Sequence, residues 1–104
     1  MPFGKGAINE KGLAFYDRLI DALLAKNIEP MLTLYHWDLP QSLQDLGGWA
    51  NRSITDWFAD YANLMFERYG DRVKKWVTLN EPYIFTDIGH RRGVMAPGIR
   101  DLAI

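Results

Sequence analysis

The sequence contains no cysteine, which excludes disulfides and thiolate metal sites and leaves the redox compartment open. Its only histidines are His36 and His90. They form no metal-ligand cluster, so no metal and no cofactor is expected. An excess of either charge is also missing. Twelve Lys+Arg stand against thirteen Asp+Glu, a formal charge of −1, with neither sign gathered into a block. That balance argues against a nucleic-acid partner and against a membrane surface. No apolar run approaches the ~20 residues of a membrane span, and the first residues show no signal-peptide pattern. A cytoplasmic location is the expectation, provided that Met1 is the true N-terminus. Repeats, low-complexity stretches and linkers are absent as well. The 104 residues, 48% of them hydrophobic, have the size and composition of one small globular domain.

The sequence does contain an alternation of periods. Asn9 is a candidate N-cap, and Leu13, Tyr16, Leu19, Ile20, Leu23 and Leu24 then recur at helical spacing. Asn27 suits a left-handed stop. Pro30 to Tyr35 is short and nearly all apolar, the pattern of a strand buried on both faces. Asn51 or Ser53 can cap a second helix with a stripe of Phe58, Tyr61, Ala62, Met65, Phe66 and Tyr69, and Gly70 as its stop. Val73 to Leu79 reads as a second strand, with Trp76, Val77 and Leu79 as apolar members. From Pro82 onward a long irregular tail is expected. Helix-strand alternation implies an α/β fold with parallel strands. Trp49, Trp57 and Trp76 read as packing residues.

Each expected strand ends in side chains that a buried core would not select. The first runs into His36-Trp37-Asp38, the second into Asn80-Glu81. In parallel α/β folds, ligand sites gather at the carboxyl ends of strands. On spacing alone a plainer reading stays open, in which His36 and Asp38 cap loops while Asn80 and Glu81 bond to nearby backbone.

The segments Thr33-Leu34-Tyr35-His36-Trp37-Asp38-Leu39-Pro40 and Thr78-Leu79-Asn80-Glu81-Pro82 closely resemble the family 1 glycoside hydrolases, the β-glucosidases and their relatives. So do Asn9-Glu10-Lys11-Gly12-Leu13, Gly47-Gly48-Trp49, Phe58-Ala59-Asp60-Tyr61-Ala62 and Ala96-Pro97-Gly98. An Asn-Glu-Pro triplet alone is shared by several barrel glycosidase families. The His-Trp-Asp-Leu-Pro segment at the preceding strand end is much more specific.

The resemblance implies a fragment of a (β/α)8 TIM barrel, with residues 1–104 supplying the second helix through the loop after the fourth strand as one incomplete domain. A whole barrel takes ~250 residues. By resemblance, Glu81 is the general acid/base of a retaining β-glycosidase, and Asn80 bonds the sugar 2-hydroxyl. His36 and Trp37 form a glycone-site pair, and Tyr83 lines the aglycone side. The family nucleophile, a glutamate in a Thr-Glu-Asn-Gly type segment, has no counterpart among Glu10, Glu29 and Glu67. An inactive isolated fragment that can self-associate is therefore expected, with a β-glycoside as the small-molecule substrate of the parent. Two departures stand out: His90 where relatives carry an aromatic, and Met95 where they carry a histidine. His90-Arg91-Arg92 reads as a solvated cluster rather than an anion site. The alternatives are an endo-β-glucanase of a related barrel family, which His36-Trp37-Asp38 argues against, and a purely structural or interaction piece.

Overall fold

A computed structural model describes residues 1–103. The chain gathers into two compact units, one of Met1–Leu32 with Leu39–Val77, the other of Thr33–Asp38 with the residues from Thr78 onward. The division passes through both strands and not through a linker. The strands β1 (Met31–Tyr35) and β2 (Lys75–Leu79) pair in a two-stranded parallel sheet. Parallel pairing demands a long crossover. Here it holds the short helix α2 (Gln41–Gln44), a 3-10 turn at Gly48–Ala50 and the helix α3 (Ile54–Tyr69).

In the first unit, α1 (Glu10–Leu24) begins where expected. The Asn9 side chain accepts from the Gly12 amide at 3.2 Å, and Glu10 adds a negative charge to the first turn. After α1 the chain turns through Asn27 at φ 58°, with the Ile28 amide reaching back to the Leu23 carbonyl at 3.0 Å. That left-handed closure is the expected one. For α3, Asn51 does the capping work by accepting from the Ser53 amide at 2.9 Å, while the Ser53 side chain makes no cap bond. Gly70 stops α3 in the right-handed region, at a place where a Cβ would collide with the Phe66 carbonyl.

Leu13 and Asp17, one turn apart on α1, meet the end of α3, and Asp21 a further turn on reaches Arg72 just beyond it. Tyr69, 1% exposed, donates its hydroxyl to the Leu13 carbonyl at 2.9 Å. Beside it, Asp17 pairs with Arg68 at 2.6 Å and Arg72 at 2.7 Å, and Arg72 also takes Asp21 at 2.7 Å. Of the six expected α1 stripe residues only Leu13 and Ile20 are buried, while Tyr16, Leu19 and Leu24 lie exposed. The tryptophans are half-buried packing residues: Trp76 edge-on to Phe66 at 4.8 Å, Trp49 against Phe58 at 5.9 Å, and Trp57 under the Lys5 ammonium at 4.6 Å.

Three expectations need correction. Neither strand is covered on both faces: Met31 is 66% exposed and no residue of β2 is buried. Two strands, each with one hydrogen-bonded neighbour among the described residues, leave open edges. The tail after Pro82 is not irregular at its start, since Ile84–Arg91 forms a π-type helix, α4. His90 is not solvated. It is 5% exposed, with Nδ1 donating to the Phe85 carbonyl at 2.6 Å, because the i→i+5 winding turns it inward. Gly89 just before it is buried, and a Cβ there would strike the Ala96 carbonyl.

Hydrogen bonds from Arg72 and Arg68 hold the Asp17 carboxyl below its ordinary value of 3.8. A depressed carboxylate contributes stability that is present above the unfolded pKa and lost as pH falls through the folded one. Urea unfolding should therefore show stability dropping below about pH 4, and Asp17→Asn should flatten that drop while lowering stability at neutral pH. An unchanged acid profile in the variant would rule Asp17 out.

Candidate active site

The residues singled out at the strand ends all fall in the second unit. Beyond β1 the chain passes His36 and Trp37, and beyond β2 it passes Asn80 and Glu81. The Asn80 amide donates to the Tyr35 carbonyl at 2.9 Å, which carries the sheet one residue past the strand. The Trp37 indole then donates Nε1–H to the Asn80 carbonyl, also at 2.9 Å. Those two bonds set the strand ends side by side. His36 lies edge-on to Trp37 with ring centroids 5.3 Å apart. Tyr35, buried beneath, meets the Phe85 ring edge-on at 5.1 Å.

The backbone is unusual at these positions. Among the described residues three non-glycine residues have positive φ, and two of them are Trp37 at 75° and Glu81 at 40°. For a bulky L-residue the left-handed region is unfavourable by about 1–2 kcal/mol. Such strain persists only where surrounding contacts over-determine it, and it clusters at functional sites. At Trp37 the indole bond supplies the constraint. The same twist directs the chain after Glu81 into α4, where the Ile84 amide bonds the Glu81 carbonyl at 2.9 Å.

Each expected site residue has a distinct setting. Glu81 and His36 are exposed, Trp37 and Asn80 half-buried, and Tyr83 59% exposed. The plainer reading holds for Asp38, whose Oδ1 accepts from the His36 amide at 3.1 Å and so fixes the turn. An open hollow of about 210 Å³ lies elsewhere, in the first unit, lined by Leu13, Tyr16, Tyr61, Met65 and Tyr69 among others and by no carboxylate. None of the residues singled out at the strand ends lines it.

A group of charges on α4 was not anticipated as a unit. Asp87 takes Arg91 Nη1 at 3.1 Å and Arg92 Nε at 2.6 Å, the latter as an ion pair off the hydrogen-bond axis. Arg92 Nη2 also donates to the Tyr83 hydroxyl at 3.2 Å. Burial pushes the Asp87 carboxyl up. The hydrogen bonds from Arg91 and Tyr83 and the charges of Arg92 and Arg91 outweigh that and hold it below 3.8. Only the Asp87–Arg91 spacing of four residues signals any of this in the sequence. Among the described residues no cluster could hold a metal ion.

With this geometry in hand, comparison with known proteins is specific. The model of Glycosyl hydrolase family 1 matches residues 1–103. A 1,4-beta-D-glucan glucohydrolase of Thermotoga neapolitana is 59% identical over 104 residues, 100% of this chain but 24% of that protein. Lactase/phlorizin hydrolase of Rattus norvegicus is 59% identical over 92 residues, 88% of this chain and 5% of that protein. Among solved structures, a family 1 β-glucosidase from Thermotoga maritima superposes with a TM-score of 0.96 at 59% identity, covering 97% of this chain and 23% of that one. The same enzyme has been solved in complex with glucoimidazole. The chain thus spans about a quarter of the length of these Thermotoga enzymes.

Glycine at position 81 should relieve the strain of the positive φ. Glu81→Gly is expected to raise stability by about 1 kcal/mol, measured by urea unfolding against the parent chain. A destabilised variant would mean that the position is not strained.

Proposed function

This chain belongs to glycosyl hydrolase family 1, and on that premise we propose that it is a piece of a (β/α)8 barrel carrying the acid/base side of a retaining β-glucosidase site. The observation that carries this reading is the juxtaposition of strand ends by the 2.9 Å bond from Trp37 Nε1 to the Asn80 carbonyl, with Glu81 exposed next in line. Residues 1–104 then form a single incomplete domain.

In the first step Glu81, protonated, gives its proton to the glycosidic oxygen as the bond to the anomeric carbon breaks. A carboxylate from outside these residues takes that carbon and forms the glycosyl-enzyme. Water then attacks, Glu81 accepts its proton, and the sugar leaves with configuration retained. Asn80 bonds the 2-hydroxyl, a contact that strengthens in the oxocarbenium-like transition state. His36 bonds a further hydroxyl and Trp37 walls the apolar face of the ring. Tyr83 stands on the leaving-group side. The substrate class is β-glucosides or related small β-glycosides.

The test sets this chain in place of the matching segment of the Thermotoga maritima β-glucosidase. In that chimera Glu81→Gln should slow hydrolysis of alkyl β-glucosides by ~10²–10⁴-fold and of activated aryl ones far less, since good leaving groups barely need a proton. Equal losses on both would remove Glu81 from the acid role. The isolated chain, lacking the second carboxylate, should turn over neither substrate; steady hydrolysis abolished by Glu81→Gln would contradict this.

The isolated chain should also self-associate. Met31 on β1 and the half-buried Trp76, Val77 and Leu79 on β2 keep apolar surface in water beside open strand edges. At ~25 cal/mol per Å², a few hundred Å² forfeits several kcal/mol, comparable with the ~5–15 kcal/mol net stability of a domain. Sedimentation should show concentration-dependent species larger than a monomer. A monomer with a sharp thermal transition would overturn the expectation.

A further inference from the structure

The polar group on α4 suggests a role that its neighbours do not explain. Arg92 lies nine positions after Tyr83. At 3.6 residues per turn, nine residues are two and a half turns, which puts the two side chains on opposite sides of an α-helix. With i→i+5 bonding a turn takes more than four residues, and nine make roughly two turns. The switch is visible in the main chain, where the Arg92 amide donates to the Asp87 carbonyl at 2.9 Å. Tyr83, Asp87 and Arg92 therefore share one face. π-type turns occur frequently at functional sites, and this one begins three residues after Glu81.

We propose that Asp87 and Arg92 are positioning residues that hold Tyr83 as a fixed aromatic platform on the leaving-group side of Glu81. The guanidinium of Arg92 spans the two partners, Nε on Asp87 at 2.6 Å and Nη2 on the Tyr83 hydroxyl at 3.2 Å. Asp87, whose side chain is 13% exposed, anchors the guanidinium to the helix. The phenol oxygen is thus engaged within the protein while the residue stays 59% exposed. What it offers a leaving group is the ring face, not a free hydroxyl. Aryl groups and the C–H face of a second sugar are the classes that such a surface takes. This rests on the reading of Glu81 as acid/base and of Tyr83 as a leaving-group contact.

The experiment uses the same chimera and two substrates that differ only at the leaving group, an aryl β-glucoside and β-glucosyl fluoride. Arg92→Leu is expected to lower kcat/KM for the aryl glucoside about 3- to 10-fold through KM, to leave the fluoride within about 2-fold, and Arg92→Lys should restore part of the loss. Fluorotyrosine labelling, with the Tyr83 signal assigned by Tyr83→Phe, should show a ring signal that shifts and narrows when Arg92 is removed. Equal losses on both substrates, or none on either, would overturn the proposal. So would a Tyr83 signal indifferent to Arg92→Leu, a readout that needs no turnover. The Glu81 reading fails separately, by Glu81→Gln sparing alkyl glucosides, and in that event the fluorine spectrum still decides whether Asp87 and Arg92 position Tyr83.

Discussion

The bond from the Trp37 indole to the Asn80 carbonyl is the contact on which the site depends. A parallel sheet delivers the carboxyl ends of neighbouring strands to the same edge, but the chain leaving each strand is free to turn away. At 2.9 Å this bond ties one departing chain to the other. It also helps to explain why Trp37 tolerates a φ of 75°. A hydrogen bond of this kind is worth about 0.5–1.5 kcal/mol net, which is of the size needed to offset one left-handed residue. Glu81 takes the corresponding position after β2 and is twisted in the same sense, at φ 40°. Paired strand ends with paired left-handed residues are a costly arrangement for a mere loop, and a sensible one for a carboxylate that must be aimed.

Local rules made part of this legible in the sequence. Asn9 and Asn27 act as cap and left-handed stop because their short amide side chains do this regardless of context. The polar bursts after two apolar runs marked the candidate site because a core does not select His, Asn and Glu. What local rules could not supply was the winding of α4. Nothing in Ile84 to Arg91 distinguishes i→i+5 from i→i+4 bonding, and the difference decides that His90 is buried and that Arg92 reaches Tyr83. Coverage of the strands was equally illegible, since an apolar run such as Met31 to Tyr35 records what a strand is built to bury, while Met31 remains 66% exposed.

The two charge clusters contrast instructively. Asp17 with Arg68 and Arg72 clamps α1 to the end of α3 and faces no candidate chemistry. Asp87 with Arg91 and Arg92 has the same composition, one carboxylate under two guanidiniums, yet it ends on the hydroxyl of an exposed aromatic beside Glu81. Ion pairs at a protein surface contribute little stability on their own. Their use lies in geometry, and only the second cluster has a side chain to aim.

The central claim is that Glu81 is the acid/base of a retaining site, and chemical rescue examines it most directly. In the chimera, Glu81→Ala should still form the glycosyl-enzyme from an activated aryl β-glucoside but stall there, because no base remains to deprotonate water. Azide needs no deprotonation. Adding it should restore turnover and yield the β-glucosyl azide, the product of a second inversion at the anomeric carbon. Formation of the α-azide, or no response to azide in a folded variant, would contradict the assignment of Glu81.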